Sequence, residues 1–359
     1  MWVSRLQIET LRCFSAVSVL PATGLNILTG ANGAGKSTVL EALSLLGSGR
    51  SFRGGARAPL VRKGENYLSV FAEVESARGT QRIGFSRSAS SWSAKLNGAA
   101  VTSLAKLVRE LPILVLEPGS HSLVEGPSES RRRLFDWFLF HVEPGFSGAA
   151  ARYQRALQQR NAILKQDAVA IKSLAVWNQQ LAETGTVLSG YREREWVQLE
   201  PIMRATFNSL LPELGSASVT FNRGWSNDVS LLDAIEDRER VDVSRGFSSR
   251  GPHRADWFSN FALVSDRLWL SRGQEKNAYL AYAMAFLQRY RSISGESAIL
   301  CIDDIWSELD ELHQARCFAL AANSAGQVWV TGTEQRASSN AWTRDSRLFH
   351  VEHGAISIL

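Results

Sequence analysis

The nonapeptide GANGAGKST, residues 30–38, restricts what this chain can fold into more than any other stretch. Gly30 and Gly35 bracket four residues ahead of Lys36 and Ser37, giving the pattern GxxxxGK[ST]. Glycines at 30, 33 and 35 let the backbone curl until consecutive N–H groups converge on phosphate oxygens. A helix starting near Lys36 turns its positive end to the same place. In such a loop Lys36 reaches the β- and γ-phosphates of a bound nucleotide and the Ser37 hydroxyl ligates Mg²⁺. Ala31, Asn32, Ala34 and Thr38 complete the nucleotide-binding run. The flanks agree: LNILT (25–29) is an apolar strand, and KSTVLEALSLL (36–46) is a helix packed through Val39, Leu40, Leu43 and Leu46.

A phosphate loop needs an acidic partner on a neighbouring strand. AILCIDDIWSELD (298–310) supplies one, an apolar strand ending in Asp303 and Asp304. Asp303 is placed to hold Mg²⁺ through water, and Asp304 to orient or deprotonate the attacking water. Adjacent carboxylates repel one another unless a cation is near, although a solvated strand end also tolerates them. About thirty residues earlier, LSRGQ (270–274) precedes an apolar helix. Ser271, Arg272, Gly273 and Gln274 there form either an anion site or an ordinary helix cap. The order of glycine loop, LSxGQ and double-acid strand resembles that of ABC-type ATPases. That resemblance implies a site completed in trans: LSxGQ caps the γ-phosphate of the opposite protomer, and two chains dimerise around two ATP molecules.

The rest of the chain is consistent with an α/β fold of this kind. VSRLQIE (3–9), VFAEVE (70–75), QRIGFSR (81–87) and AKLNGAAV (94–101) read as strands, the last a hairpin turning at Asn97-Gly98. Helical runs follow, including SESRRRLFDWFLFHV, AAARYQRALQQRNAILK and EREWVQLEPIMRATFNSLL. Short buried strands return at ILCID (299–303) and VWVT (328–331), and RLFHVEHGAISIL closes as a hairpin. The expected architecture is an ABC-type P-loop ATPase head, a mixed sheet with an antiparallel β-subdomain, plus an inserted, mainly helical lobe. Its expected parts are 1–117 for the first part of the ATPase lobe, 118–215 for the insertion, and 216–359 for the second part.

Three cysteines (Cys13, Cys301, Cys317) without CxxC spacing, and no HExxH pair, give no support to zinc or disulfide chemistry. The longest apolar run, AYLAYAMAFL (278–287), is far short of the ~20 residues a bilayer span needs, and the N-terminus has no signal-peptide core. A cytoplasmic protein with no membrane partner is expected.

Longer stretches narrow the family. GKSTVLEALSLLGSGRSFRGG, RRRLFDWFLFHVEPGF, YQRALQQRNAILK, GPHRADW and LSRGQEK together resemble the RecF family of bacterial recombination proteins within the SMC-like ATPases. The resemblance spans Leu6 to about Asp310. It implies an ATP-dependent DNA-binding protein that dimerises on ATP and works with RecO and RecR at gaps and stalled forks to help load the recombinase. It also implies roles for Arg12, an early arginine near the nucleotide, and for Asp304 in slow hydrolysis. Glu117, in LVLEPGSHSLVEG (114–126), stands where a transporter subunit would carry glutamine, and Thr331 and Thr333 stand where it would carry histidine. The alternative of a soluble ABC-type ATPase subunit of a transport or other non-DNA complex therefore has less support.

The net charge of +5 is modest, but 33 of the 40 basic residues are arginine, which binds phosphate with a planar fork. Biased codon usage accounts for the ratio equally well. RSFRGGARAPLVRK (50–63) holds Arg50, Arg53, Arg57, Arg62 and Lys63 without an acid. The run is a phosphate-tracking surface for single-stranded, gapped or duplex DNA, a solvated loop, or in part a set of ATP ligands.

Overall fold

The computed structural model describes residues 1–53, 59–117, 124, 126–166, 174–264, 270–306, 309–332 and 345–359. The chain divides into two compact units. One comprises Met1–His121, Ser209–Leu211 and Leu270–Leu359, and the other Ser122–Asn208 and Pro212–Trp269.

The first unit is built on two six-stranded sheets. In one, the strands run in the order β2-β1-β4-β5-β6-β7, each antiparallel to its neighbour. These are β1 (Trp2–Glu9), β2 (Ala16–Val19), β4 (Tyr67–Ser76), β5 (Gly79–Ser88), β6 (Trp92–Leu96) and β7 (Ala99–Ala100). Along β4, Leu68, Val70, Ala72 and Val74 are fully buried while the residues between them are not, the period of a sheet with one wet face. The β6–β7 hairpin turns at Asn97 (φ 51°) and Gly98 (φ 84°), as an Asn-Gly pair does.

The other sheet has the order β14-β13-β3-β12-β11-β8. It comprises β3 (Leu25–Thr29), β8 (Ile113–Leu116), β11 (Ile299–Ile302), β12 (Gln327–Thr331), β13 (Ser346–Glu352) and β14 (Ala355–Ile358). All its pairings are parallel except β13 with β14. β3, β11 and β12 are buried at every position, as strands covered on both faces must be. Because β3, β8, β11 and β12 run the same way, the residues that follow them gather at one edge of the sheet. Ligands of open α/β sheets bind at that edge.

Helix α1 (Lys36–Ser48) packs on β4 and β5 of the first sheet and on β8 and β12 of the second. Lying between two sheets, it is buried almost all round, so its polar Glu41 and Ser44 are buried along with its leucines. Each fully buried leucine of α1 contributes about 1.5–3 kcal/mol. α2 (Leu104–Glu110) also packs on α1.

The second unit holds α3 (Ser128–Val142), α4 (Phe146–Ile163), α5 (Leu174–Leu210, whose last two residues group with the first unit), β9 (Ala217–Asn222), α6 (Leu231–Asp237), α7 (Glu239–Arg245) and β10 (Asp256–Phe261). It extends past residue 215, the end of the expected insertion. β9 and β10 pair antiparallel with each other, from Ala217↔Phe261 to Asn222↔Asp256, and α3 packs on β10. Phe135, Trp196, Phe221 and Trp257 close that junction as an aromatic cluster, with Phe135 edge-on to Trp257 at 5.5 Å. Residues 216–264 therefore group with the helical lobe, not with the second part of the ATPase lobe.

Two buried polar clusters hold this unit. Arg160, with no exposed surface, donates from Nη1 to Asp242 Oδ2 (2.8 Å) and Ser248 Oγ (2.7 Å), and from Nε to Asn178 Oδ1 (2.7 Å). The Tyr153 hydroxyl donates to His253 Nδ1 (2.6 Å), and His253 Nε2–H donates to the Ser248 carbonyl (2.9 Å). That pattern requires a neutral imidazole, and burial pushes the His253 pKa down to about 4. Between its ordinary value of 6.5 and 4, the unfolded chain binds a proton at this histidine that the folded chain refuses. Stability is accordingly unaffected above pH 6.5 and falls by at most about 3 kcal/mol as the pH drops through that window. His253→Gln is expected to flatten the loss measured by urea unfolding between pH 6.5 and 4. An equal loss in the variant would assign it to other groups.

Candidate functional site

Following β3, the chain enters the glycine loop and reaches α1 through Gly35. Gly35 has φ 116°, and a Cβ there would lie 2.7 Å from Cys13 Sγ, so only glycine fits. No side chain among the described residues caps α1, which leaves the amides of its first turn directed at the loop. Lys36 Nζ donates to the carbonyls of Gly30 (2.6 Å) and Ala31 (3.0 Å). The ammonium is thereby folded back over the loop, with Lys36 only 9 % exposed. Asn32, Gly33, Gly35, Lys36, Ser37 and Thr38 all line one cavity of about 370 Å³.

Asp303 and Asp304 close the other side of that cavity. Asp303 follows β11, its N–H bonded to the Leu116 carbonyl of β8 (2.8 Å). Its Oδ1 accepts from the Ser37 hydroxyl and from the Thr331 hydroxyl, each at 2.6 Å. Two motifs 266 positions apart thus meet through one carboxylate oxygen. Thr331 Oγ1 also accepts the Asp304 N–H at 2.8 Å. Asp304 has φ 54°, a left-handed conformation that aspartate tolerates better than most residues. It is held there from both sides, because Lys276 Nζ donates to the Asp304 carbonyl at 2.7 Å. Lys276 belongs to α8 (Arg272–Ser294), so the LSRGQEK helix is tied directly to the double-acid turn.

Arg12 and Arg53 supply further positive charge to the cavity lining. Arg12 (φ 50°) is clamped by the fully buried Glu41, its Nε on Oε2 and its Nη2 on Oε1 at 2.7 Å. Arg53 Nη2 lies 3.6 Å from Asp303 Oδ2. Of the five basic residues of 50–63, Arg53 therefore faces the nucleotide cavity. Arg62 donates to the Cys13 carbonyl at 3.3 Å, while Arg50 and Lys63 are exposed. Arg57 lies outside the described residues. Arg53→Ala is expected to weaken ATP binding by about tenfold, one charge-assisted contact. It should leave the salt dependence of DNA binding unchanged. A flattened salt slope with unaltered ATP affinity would place Arg53 on a DNA surface instead.

Ser271, Arg272, Gly273 and Gln274 do not line this cavity. Ser271 and Arg272 are exposed at the start of α8. Ser271 Oγ accepts the Gln274 N–H (3.3 Å) and Gln274 Oε1 accepts the Ser271 N–H (2.9 Å), a reciprocal cap. Glu117 is exposed one residue beyond β8 and is likewise absent from the cavity lining. Thr333, Ser307 and Glu308 lie outside the described residues.

The donor set suits a magnesium polyphosphate. A hydroxyl and a carboxylate oxygen, hard ligands both, sit 2.6 Å apart beside a lysine, two arginines and a run of loop amides. Thr331, Glu41 and Lys276 carry this geometry without a nucleotide role having been assigned to them from the sequence, and Arg53 was read there only as one of a basic run that tracks DNA, is solvated or in part meets ATP. Their only signals were a hydroxyl ending an apolar strand, a lone acid within an apolar helix, and cations adjoining motifs.

The profile for the RecF/RecN/SMC N terminal domain matches residues 2–357. The DNA replication and repair protein RecF of Xanthomonas axonopodis pv. citri is 42% identical across 99% of this chain and 98% of its own length. This chain belongs to the RecF family. The RecF protein of Shewanella piezotolerans is 33% identical over the full length of both chains. Among solved structures, the recombination mediator protein RecF-ATPrS of the RecFOR pathway superposes with TM-score 0.85 at 23% identity, covering 100% of this chain and 98% of the other. An Smc head bound to the C-winged helix domain of ScpA superposes with TM-score 0.57 at 15% identity, covering 100% and 98%. This chain thus has the ABC/SMC-head fold expected from the motif order. Among the described residues, no helix is long and apolar enough to cross a membrane.

Proposed function

We propose that this chain is an ATP-dependent DNA-binding protein of recombinational repair and replication-fork maintenance. In this reading it is a slow ATPase that dimerises on ATP and helps load the recombinase at single-strand gaps. One observation carries the ATPase part: the Ser37 and Thr331 hydroxyls both donate to one carboxylate oxygen of Asp303 inside a cavity lined by Lys36, Arg12 and Arg53. Its full-length relatives carry the name DNA replication and repair protein RecF, which supports the repair assignment.

Lys36 neutralises the β- and γ-phosphates and the loop amides hold the polyphosphate in register. Ser37 and Asp303 are the residues to hold Mg²⁺, which supplies charge neutralisation to the phosphates when bound. Asp304 lines the same cavity and is the group to orient the attacking water, its backbone fixed by Thr331 and Lys276. The exposed Ser271 uses a lone pair in its cap and keeps its O–H to donate. That hydroxyl, with the N–H of Gly273, reaches the γ-phosphate of a second chain. Lys276 links this trans contact to the Asp304 turn, so partner docking and hydrolysis are coupled within each chain. RecR and RecO are the expected protein partners.

The test is fluorescence anisotropy with single-stranded, gapped and duplex oligonucleotides, with and without ATP and Mg²⁺. Binding that tightens with ATP is expected. ATP turnover with no DNA binding under any condition would favour an ATPase subunit of a non-DNA complex.

A further inference from the structure

A second cavity, of about 490 Å³, lies wholly within the second unit, between the segment after β9 and the segment joining α7 to β10. Its walls carry Arg245, Arg250, Arg254, Phe247, Trp225 and Ser249. Among the described residues no carboxylate lines it. The acids nearby are engaged: Asp242 by Arg160 and the Ser249 N–H, Asp256 by Arg131, and Asp228 by the Ser226 hydroxyl at the rim. Arg245 and Arg250 make no ion pair among the described residues. Three guanidinium groups around one hollow repel one another and favour an anion between them.

The hollow is built, not an accident of loose loops. Gly224 (φ 102°) would place a Cβ 2.2 Å from the Gly251 carbonyl, so the two segments meet at backbone distance. The Tyr153–His253–Ser248 chain fixes the second segment from beneath. Two polar groups in its walls have no hydrogen-bond partner among the described residues. They are the indole N–H of Trp225, a residue only 7 % exposed, and the hydroxyl of Ser249. Beside them Phe247 keeps 38 % of its surface exposed, with the Arg254 guanidinium 5.2 Å from its ring centre. An exposed aromatic ring flanked by arginines is the combination that binds a base together with its phosphate.

We propose that this hollow is a subsite for one nucleotide of single-stranded nucleic acid, a proposal that rests on the DNA-binding reading above. Arg245 and Arg250 hold the phosphate, and the base stacks on Phe247. One wall of the pocket comes from SRGFSSRGPHR, a stretch remote in sequence from the basic run at 50–63.

The experiment compares wild type with Arg245→Ala/Arg250→Ala and with Phe247→Ala, binding a fluorescent 20-mer of thymidine or its duplex in ATP and Mg²⁺. The arginine variant is expected to lose at least about tenfold in affinity for the single strand. Its slope of log K against log salt should flatten by about 0.7, the share of the one phosphate that the two arginines hold. Phe247→Ala should lose about tenfold on the single strand and little on the duplex. In the wild-type protein, a 5-iodouracil oligonucleotide should cross-link to Phe247 or Trp225, a readout that needs no variant to fold. If the wild type binds the 20-mer but both variants bind it equally well, or if cross-links map only to the first unit, the subsite is refuted and the DNA reading survives. A wild type that binds no oligonucleotide refutes the DNA reading itself. Protection of Phe247 by polyglutamate and not by oligonucleotide would assign the hollow to an acidic protein segment and overturn the nucleotide assignment.

Discussion

Lys36→Ala will bind ATP at least about a hundredfold more weakly than the wild type, with its thermal unfolding almost unchanged. The ammonium rests 2.6 Å from the Gly30 carbonyl and 3.0 Å from that of Ala31, inside the cavity that also holds Ser37 and Asp303. In the proposed reading it is the cation that meets the β- and γ-phosphates. Hydrogen bonds to charged groups are worth about 1.5–3 kcal/mol each, so losing two costs two to four orders of magnitude in affinity. The fold is spared because the side chain lies against the ligand site, and the carbonyls it releases can be solvated. Titration calorimetry with ATP and a melting curve on the same sample check both halves. A folded variant with normal affinity would remove the phosphate loop from the account.

Asp242→Ala is expected to be the most destabilising change in the second unit, by about 3–5 kcal/mol in urea unfolding. Arg160 and Asp242 are both buried at 2.8 Å, and Asp242 also accepts the Ser249 N–H at 3.0 Å. Removing the carboxylate strands a guanidinium where water cannot reach it, which costs far more than the net worth of the pair. Converting both residues to apolar ones, Arg160→Met with Asp242→Leu, should recover much of the loss, since no charge is then left unpaired. A single variant within about 1 kcal/mol of wild type would mean that water reaches this cluster.

The parts legible in the sequence are those encoded over short distances. The glycine loop, the helix it caps and the all-apolar strands announce themselves within a dozen residues, because a buried parallel strand admits little else. The Asn97-Gly98 hairpin is local in the same way. What was not legible depends on chain crossings. Thr331 bonds Asp303 only because β11 and β12 are adjacent. Glu41 meets Arg12 across 29 positions, and Lys276 meets the Asp304 carbonyl across 28. The extent of the second unit was missed for the same reason, since β9 and β10 pair across the two short helices α6 and α7. Composition could not separate Arg53 from its basic neighbours either. Its place follows from a loop that returns to the cavity, which no run of charges reveals.

The central claim is that one chain holds only part of each ATP site, and light scattering tests it most directly. Ser271 and Arg272 are exposed and do not line their own chain's cavity, as the proposed contact with a second chain requires. Wild-type protein is expected to be monomeric alone and dimeric with ATP and Mg²⁺. Asp304→Asn should accumulate the dimer. Ser271→Arg should stay monomeric while still binding ATP, because its Lys36 loop is intact. Wild-type turnover by a strictly monomeric Ser271→Arg protein would contradict the account.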